Sequence, residues 1–334
     1  MAPITNGRVL FNAVPEDYPV PGKTTVYDTS ETIDLENAPL NGGILIKVLL
    51  LSIDPYMHGR LRSPEKESYM APYTLGQPLT GAGIGVTGAH VRGLLLHQEY
   101  MIVPNLQAAM LGVIERDPKL DWSVYIGAAG YPGESAYVGW RAYSDGKPGE
   151  IAFITTGAGS VGSMAIQLAK KDGLKVIASA GSEDKVKFMK EIGADVAFNY
   201  KTTDVREVLA KEGPIDIFWD NVGGDTLDAA MEFAAKNARF IECGQMSGYN
   251  SGYQPMKNPA LIFEKCMHFH GFLLFELRAK YAEAFQAEVV PRLVSGEFKS
   301  SEDITRGLDK VGDVILAVQK GTNTGKAVVR VADE

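Results

Sequence analysis

The segment Gly157-Ala158-Gly159-Ser160-Val161-Gly162 constrains this chain more than any other. It follows a short apolar run, Ile151-Ala152-Phe153-Ile154-Thr155. It opens a stretch to Lys171 in which Val161, Ala165, Leu168 and Ala169 recur at helical spacing. A strand, a turn of the form G-x-G-x-x-G and a helix together predict dinucleotide binding. The glycines allow a tight turn, close approach of the backbone to a pyrophosphate, and close packing of helix on strand. The helix N-terminus adds free N–H groups and a positive dipole end. With 36 glycines in the chain a bare match means little, so the weight rests on the strand-turn-helix context.

The same alternation continues downstream. Lys175–Ser179 reads as a second strand, and Glu183–Ile192 as a polar helix closed by Gly193. Ala194–Phe198, Ile215–Trp219 and Arg239–Cys243 follow as further strands. Strands and helices alternating in this way predict an α/β fold with a doubly wound parallel sheet of Rossmann type. Residues 1 to about 125 differ: short β-like runs such as Gly43–Leu51 and Glu99–Pro104 stand between Gly and Pro turns, which predicts a mainly β domain. The last 35 residues end in another strand, Gly325–Val331.

Composition removes several function classes. Net charge is −8 and no Lys/Arg run exceeds a doublet, which argues against nucleic acid as a partner. No stretch of about 18 apolar residues is present to span a membrane. The first residues lack the basic-then-apolar pattern of a secretion signal. Two cysteines, Cys243 and Cys266, cannot form a disulfide framework, and a reducing cytoplasm is the expected location. No Cys-x-x-Cys occurs among them and the five histidines, so no metal is expected; His268 and His270, near Cys266, read as an ordinary packed or edge strand.

The choice of dinucleotide turns on the tip of the second strand. NAD sites place Asp or Glu roughly 20 residues past the first glycine, to hold the ribose hydroxyls. Ser179-Ala180-Gly181-Ser182 stands there, with Lys185 one helical turn on, able to pair with a 2′-phosphate. Ser182 is expected to cap the helix and touch the same phosphate. Glu183 and Asp184 complicate the picture, but acids in a first helical turn commonly serve its dipole. The expectation is NADP(H).

Taken together the chain resembles the zinc-free medium-chain dehydrogenases/reductases, in the group of alkenal double-bond reductases and prostaglandin (leukotriene hydroxydehydrogenase-like) reductases. The marks, in order, are Ile53-Asp54-Pro55-Tyr56-Met57, the glycine loop, Ala180–Val186 and Phe198-Asn199-Tyr200-Lys201. After these come Asp220-Asn221-Val222-Gly223-Gly224, Cys243–Asn250 and Gly321-Thr322-Asn323-Thr324-Gly325-Lys326. The resemblance implies a GroES-like catalytic domain from residues 1–125 and 300–334, interrupted by a nucleotide domain at 126–299. It implies cofactor contacts from Gly157–Gly162 (Ala158, Gly159, Ser160 and Val161 included), Gly181, Ser182, Lys185, Tyr200, Asn221, Cys243, Gly244, Tyr249, Phe272, Leu273 and Asn323. It further implies a homodimer joined along nucleotide-domain sheet edges, with Met267–Phe272 as the edge.

The implied reaction is NADPH-dependent reduction of the carbon–carbon double bond of an α,β-unsaturated aldehyde or ketone. Hydride reaches the β-carbon, negative charge gathers on the carbonyl oxygen, and a proton then reaches the α-carbon from an acid or from water. The resemblance puts Tyr56 at the mouth of the site, with Tyr249 as a second candidate donor. A zinc-free quinone or carbonyl reductase on the same fold remains an alternative, as does an NADPH-binding protein without activity. Two departures stand out. No tyrosine occurs near Phe263-Glu264, where many relatives carry one. The connection Thr87–Gly93 is shorter than the family hairpin, so a shortened strand pair is expected.

Overall fold

Apolar runs that can be buried on both faces are what a parallel sheet requires. In the computed structural model, which describes residues 2–105 and 111–334, they form one. The chain divides into two compact units: one runs to Ile126 and resumes at Glu302, and the other is Gly127–Ser301.

The second unit holds six strands, here β1 (Ile151–Ile154), β2 (Lys175–Ala180), β3 (Val196–Asn199), β4 (Ile215–Asp220), β5 (Ala234–Glu242) and β6 (His268–Gly271). They are parallel throughout and lie in the order β3-β2-β1-β4-β5-β6. Order reverses between β1 and β4, which leaves a crevice at their carboxyl ends where dinucleotides bind in folds of this kind. Helices α1 (Ser160–Lys171), α2 (Glu183–Glu191), α3 (Val205–Glu212) and α4 (Gly224–Glu232) connect the strands.

One face of this sheet carries an aromatic ladder. Phe153, Phe218, Phe240 and Phe269 are successive register partners across β1, β4, β5 and β6. Their rings lie 5.3, 5.3 and 4.7 Å apart in turn. Phe153, Phe218 and Phe240 are wholly buried. Strand β5 begins five residues earlier than its apolar run suggests, at Ala234 rather than Arg239. The added half, with Lys236 and Asn237, lacks a β signature; it is recruited by pairing of Ala234 with Ile215 across a register irregularity.

The first unit is mainly β. Its largest sheet runs through Glu302–Arg306, Lys326–Arg330, Ile44–Ser52, Thr80–Thr87, Ala89–Leu96 and Gly112–Val113. The C-terminal strand is antiparallel to Ile44–Ser52, with Val328 opposite Ser52. Leu308, Val311 and Ile315, before and within helix Val311–Gln319, join the same core as Val48, Leu51 and Leu95. The Thr87–Gly93 connection lies within a paired hairpin. Both strands run eight residues and pair from Thr80↔Leu96 to Thr87↔Ala89. Gly88 alone makes the reversal, with φ +78°, a conformation that favours glycine. Among the described residues no helix is long and apolar enough to cross a membrane.

Phe218→Ala removes the central rung of the ladder. It is expected to lower unfolding stability by about 3–5 kcal/mol, read from the midpoint of urea unfolding.

Candidate functional site

The glycine loop follows β1 directly. Thr156 takes φ +52°, and Gly157 donates its N–H to the Ser179 carbonyl at 2.9 Å, tying the turn to β2. Gly159 is extended at the N-cap of α1, and no side chain caps that helix. A Cβ placed on Gly162 would stand 2.3 Å from the Thr156 carbonyl oxygen, and one on Gly157 2.6 Å from Met189 Sδ. Helix α1 and the end of β1 are therefore too close for any side chain at position 162. The leading amides of α1, from Ser160, Val161 and Gly162, are left to an outside acceptor at the positive end of the helix. That donor set fits a pyrophosphate.

The crevice between β1 and β4 is latched by Thr155 and Asn221. Asn221 donates its backbone N–H to Thr155 Oγ1 at 2.8 Å and its Nδ2 to the Thr155 carbonyl at 2.7 Å. Its Oδ1 accepts from Trp219 Nε1 at 3.3 Å. The side chain thus faces protein groups and holds the two strand ends together. Beside it, Asp220 Oδ1 accepts from the N–H groups of Val222 and Gly223, shaping the turn into α4.

Glu242 is the register partner of Asp220. Burial raises both carboxyls, and the charge of Asp220 raises Glu242 further, to about 8. At neutral pH the pair holds a proton. Cys243, next in the chain, has its thiol pushed up to about 12, by burial first and by these two acids second. It is a neutral thiol rather than a nucleophile. Tyr249 follows the one-turn helix Met246–Gly248, and a Cβ on Gly244 would lie 3.5 Å from its hydroxyl.

At the tip of β2, Ser182 occupies the N-cap position of α2, but its hydroxyl makes no capping hydrogen bond. The expected cap is absent, and negative charge in the first turn comes from Glu183 and Asp184. Lys185 stands on that turn, half-buried. Tyr200 follows β3 and is 56% exposed. After β6, the half-buried Phe272 ring packs on Trp219 and Tyr143, each 6.1 Å away. Leu273 is exposed at the head of helix Leu274–Glu288. The second unit thus gathers the loop, Gly181, Ser182, Lys185, Tyr200, Asn221, Cys243, Gly244, Tyr249, Phe272 and Leu273 at the carboxyl ends of its strands.

Tyr56 and Asn323 lie in the first unit. Asn323 turns its Nδ2 onto the Gly325 carbonyl at 2.9 Å. Tyr56 precedes the short helix Met57–Arg60. Burial, then the charge of Asp54, holds its phenol well above the usual tyrosine range. Asp54 is itself paired with Lys326 Nζ at 2.9 Å, which also donates to the Ile53 carbonyl. The Arg60 guanidinium lies 4.0 Å over the Tyr73 ring and donates to Thr80. His97 is wholly buried and, pushed down to about 3 chiefly by that burial, is neutral. None of Arg60, Tyr73, His97, Asp220 and Glu242 is marked as a site residue by sequence pattern. Each is an ordinary polar residue until the fold supplies its neighbours.

Two family models match: one described as "zinc-binding dehydrogenase" over residues 160–290, the other as "N-terminal domain of oxidoreductase" over 12–110. A 2-alkenal reductase (NADP(+)-dependent) from Nicotiana tabacum is 32% identical, with 99% of each chain covered. Prostaglandin reductase 1 from Bos taurus is 30% identical over 91% of this chain and 95% of its own. The solved structure of CurA from Vibrio vulnificus in complex with NADPH superposes with a TM-score of 0.85, at 27% identity over 98% of this chain and 100% of that one. The chain belongs to the medium-chain dehydrogenase/reductase family. It is an NADP-dependent oxidoreductase, and its cofactor is NADP(H). Despite the name of one matching family model, the described residues of the enzyme include no group of three His, Cys, Asp or Glu able to hold a metal ion.

Because Glu242 is raised in the folded state, its contribution to stability is complete below the unfolded carboxyl value of about 4.3 and is lost as pH rises through about 8. The thermal midpoint is expected to fall over that window. Glu242→Gln, which cannot ionise, is expected to flatten the fall.

Proposed function

We propose that the enzyme reduces the carbon–carbon double bond of α,β-unsaturated aldehydes and ketones. NADPH supplies the hydride when bound. The observation that carries this reading is the state of Tyr56. A phenol held well above its ordinary value stays protonated at any working pH, and it serves as a standing hydrogen-bond donor. Such a donor suits a carbonyl oxygen on which charge develops. In this reading the Tyr56 hydroxyl is engaged at the carbonyl oxygen, and we assign the α-carbon proton to water. Lys326 pairs with Asp54 and so weakens the carboxylate's hold on the phenol, while Arg60 favours negative charge near it. Tyr249, beside Gly244, is retained as a second donor. The name of the tobacco relative, a 2-alkenal reductase, supports the same substrate class.

NADPH consumption with a trans-2-alkenal, a quinone and a saturated alkanal tests the reading, and turnover of the alkenal above the other two is expected. Preference for the quinone would replace it with quinone reduction, and tight NADPH binding without turnover with a binding role. Tyr56→Phe is expected to lower kcat on the order of 100-fold with NADPH affinity unchanged; unaltered turnover would remove Tyr56 from the mechanism.

We also propose a cytoplasmic homodimer. Strand β6 is an edge of the six-stranded sheet with His268 and Gly271 exposed, and an open edge invites pairing with a second copy. Light scattering is expected to give twice the chain mass; a monomer mass refutes it.

A further inference from the structure

The tip of β2 presents a contradiction that its own hydrogen bonds resolve. Glu183 stands two residues past Gly181, close to where NAD-binding folds put the acid that holds the ribose 2′-hydroxyl. A free carboxylate there would repel a 2′-phosphate. Instead Asn199, at the end of β3 and only 9% exposed, donates its Nδ2 to Glu183 Oε1 at 2.9 Å. The same amide's Oδ1 accepts the backbone N–H of Lys201 at 3.1 Å. The Asn199 carbonyl also accepts the N–H groups of Thr202 and Thr203, at 3.1 and 2.9 Å, so the residue is held from both ends.

One side chain therefore does two things. It restrains the acid of α2, and it fixes the turn that carries Tyr200 and Lys201. Both residues reach over Gly181. A Cβ there would lie 2.9 Å from Tyr200 Oη and 3.2 Å from Lys201 Cε. Lys201 is exposed and Lys185 half-buried on the facing helix turn. The charged groups around the tip are Glu183 and Asp184 against Lys185 and Lys201. The neutral Asn199 amide leaves Glu183 charged, but it fixes where that charge sits.

We infer that Asn199 is a positioning residue that determines selectivity for the phosphorylated cofactor, by holding Glu183 aside and presenting Lys201 as a second cation beside Lys185. The inference rests on the NADP(H) assignment and not on the substrate. The test is equilibrium binding of NADPH and NADH to the full chain without substrate, read by quenching of tryptophan fluorescence. Asn199→Ala is expected to weaken NADPH about tenfold, the effect of one poorly screened charge, with NADH unchanged or tighter. Adding Glu183→Gln to that variant is expected to restore most of the NADPH affinity. Lys201→Ala, at an exposed site where folding is not at stake, is expected to weaken NADPH alone and to reduce its salt dependence. Equal losses for both cofactors, no rescue by Glu183→Gln, or an indifferent Lys201→Ala would overturn the inference. A wild-type chain binding NADH as well as NADPH would instead remove the cofactor assignment beneath it, and an inactive enzyme with intact selectivity would touch only the substrate reading.

Discussion

The approach of α1 to the end of β1 governs the nucleotide unit. With only hydrogen at position 162, the helix starts against the Thr156 carbonyl, and its leading amides open at the carboxyl edge of the sheet. The closeness has a cost. Thr156 is a β-branched residue in the left-handed region, a conformation of order 1–3 kcal/mol above the ordinary ones. Packing offsets it: Ala165, Ile166, Leu168 and Ala169 of α1 are wholly buried. A side chain at 162 would push the helix outward and carry the phosphate-binding end with it.

Around this contact the ends of β1 and β4 are bound to one another by buried polar groups. Thr155 and Asn221 join β1 to β4, and Asp220 and Glu242 face each other across β4 and β5. Each such group must be satisfied or neutralised where water is scarce. Asn221 manages it with hydrogen bonds, and the acidic pair by keeping a proton. The same burial makes Cys243 inert, so a residue whose chemistry invites a reactive reading is instead part of the wall.

The first unit has its own buried centre. Lys326, 4% exposed, comes from the C-terminal strand and reaches both the carboxylate of Asp54 and the carbonyl of Ile53, which are more than 270 residues away in sequence. Breaking one partner of a buried pair leaves an uncompensated charge. The return of the chain from the nucleotide unit thus places Lys326 against the segment that ends in Tyr56. Asp54, which acts on Tyr56, is thus paired with a cation from the far end of the polypeptide.

Much of this was readable beforehand, because it follows from local pattern. Strand-turn-helix periodicity, glycine spacing and the lack of an acid within Ser179–Ser182 depend on neighbours within a few residues. From them came the doubly wound sheet, the phosphate loop and the preference for NADP(H). The early start of β5 was not readable, since Lys236 and Asn237 form strand only because Ile215 pairs with Ala234. Nor was the inward turn of Asn221 and Phe272, the uncapped Ser182, or the one-residue reversal at Gly88. The chemical state of Tyr56, Glu242 and His97 was equally hidden, because a pKa depends on burial and on charges brought near by the fold. Asn199 marks the boundary. Its place in Phe198-Asn199-Tyr200-Lys201 is plain in the sequence, but its hold on Glu183 exists only once β3 lies beside β2.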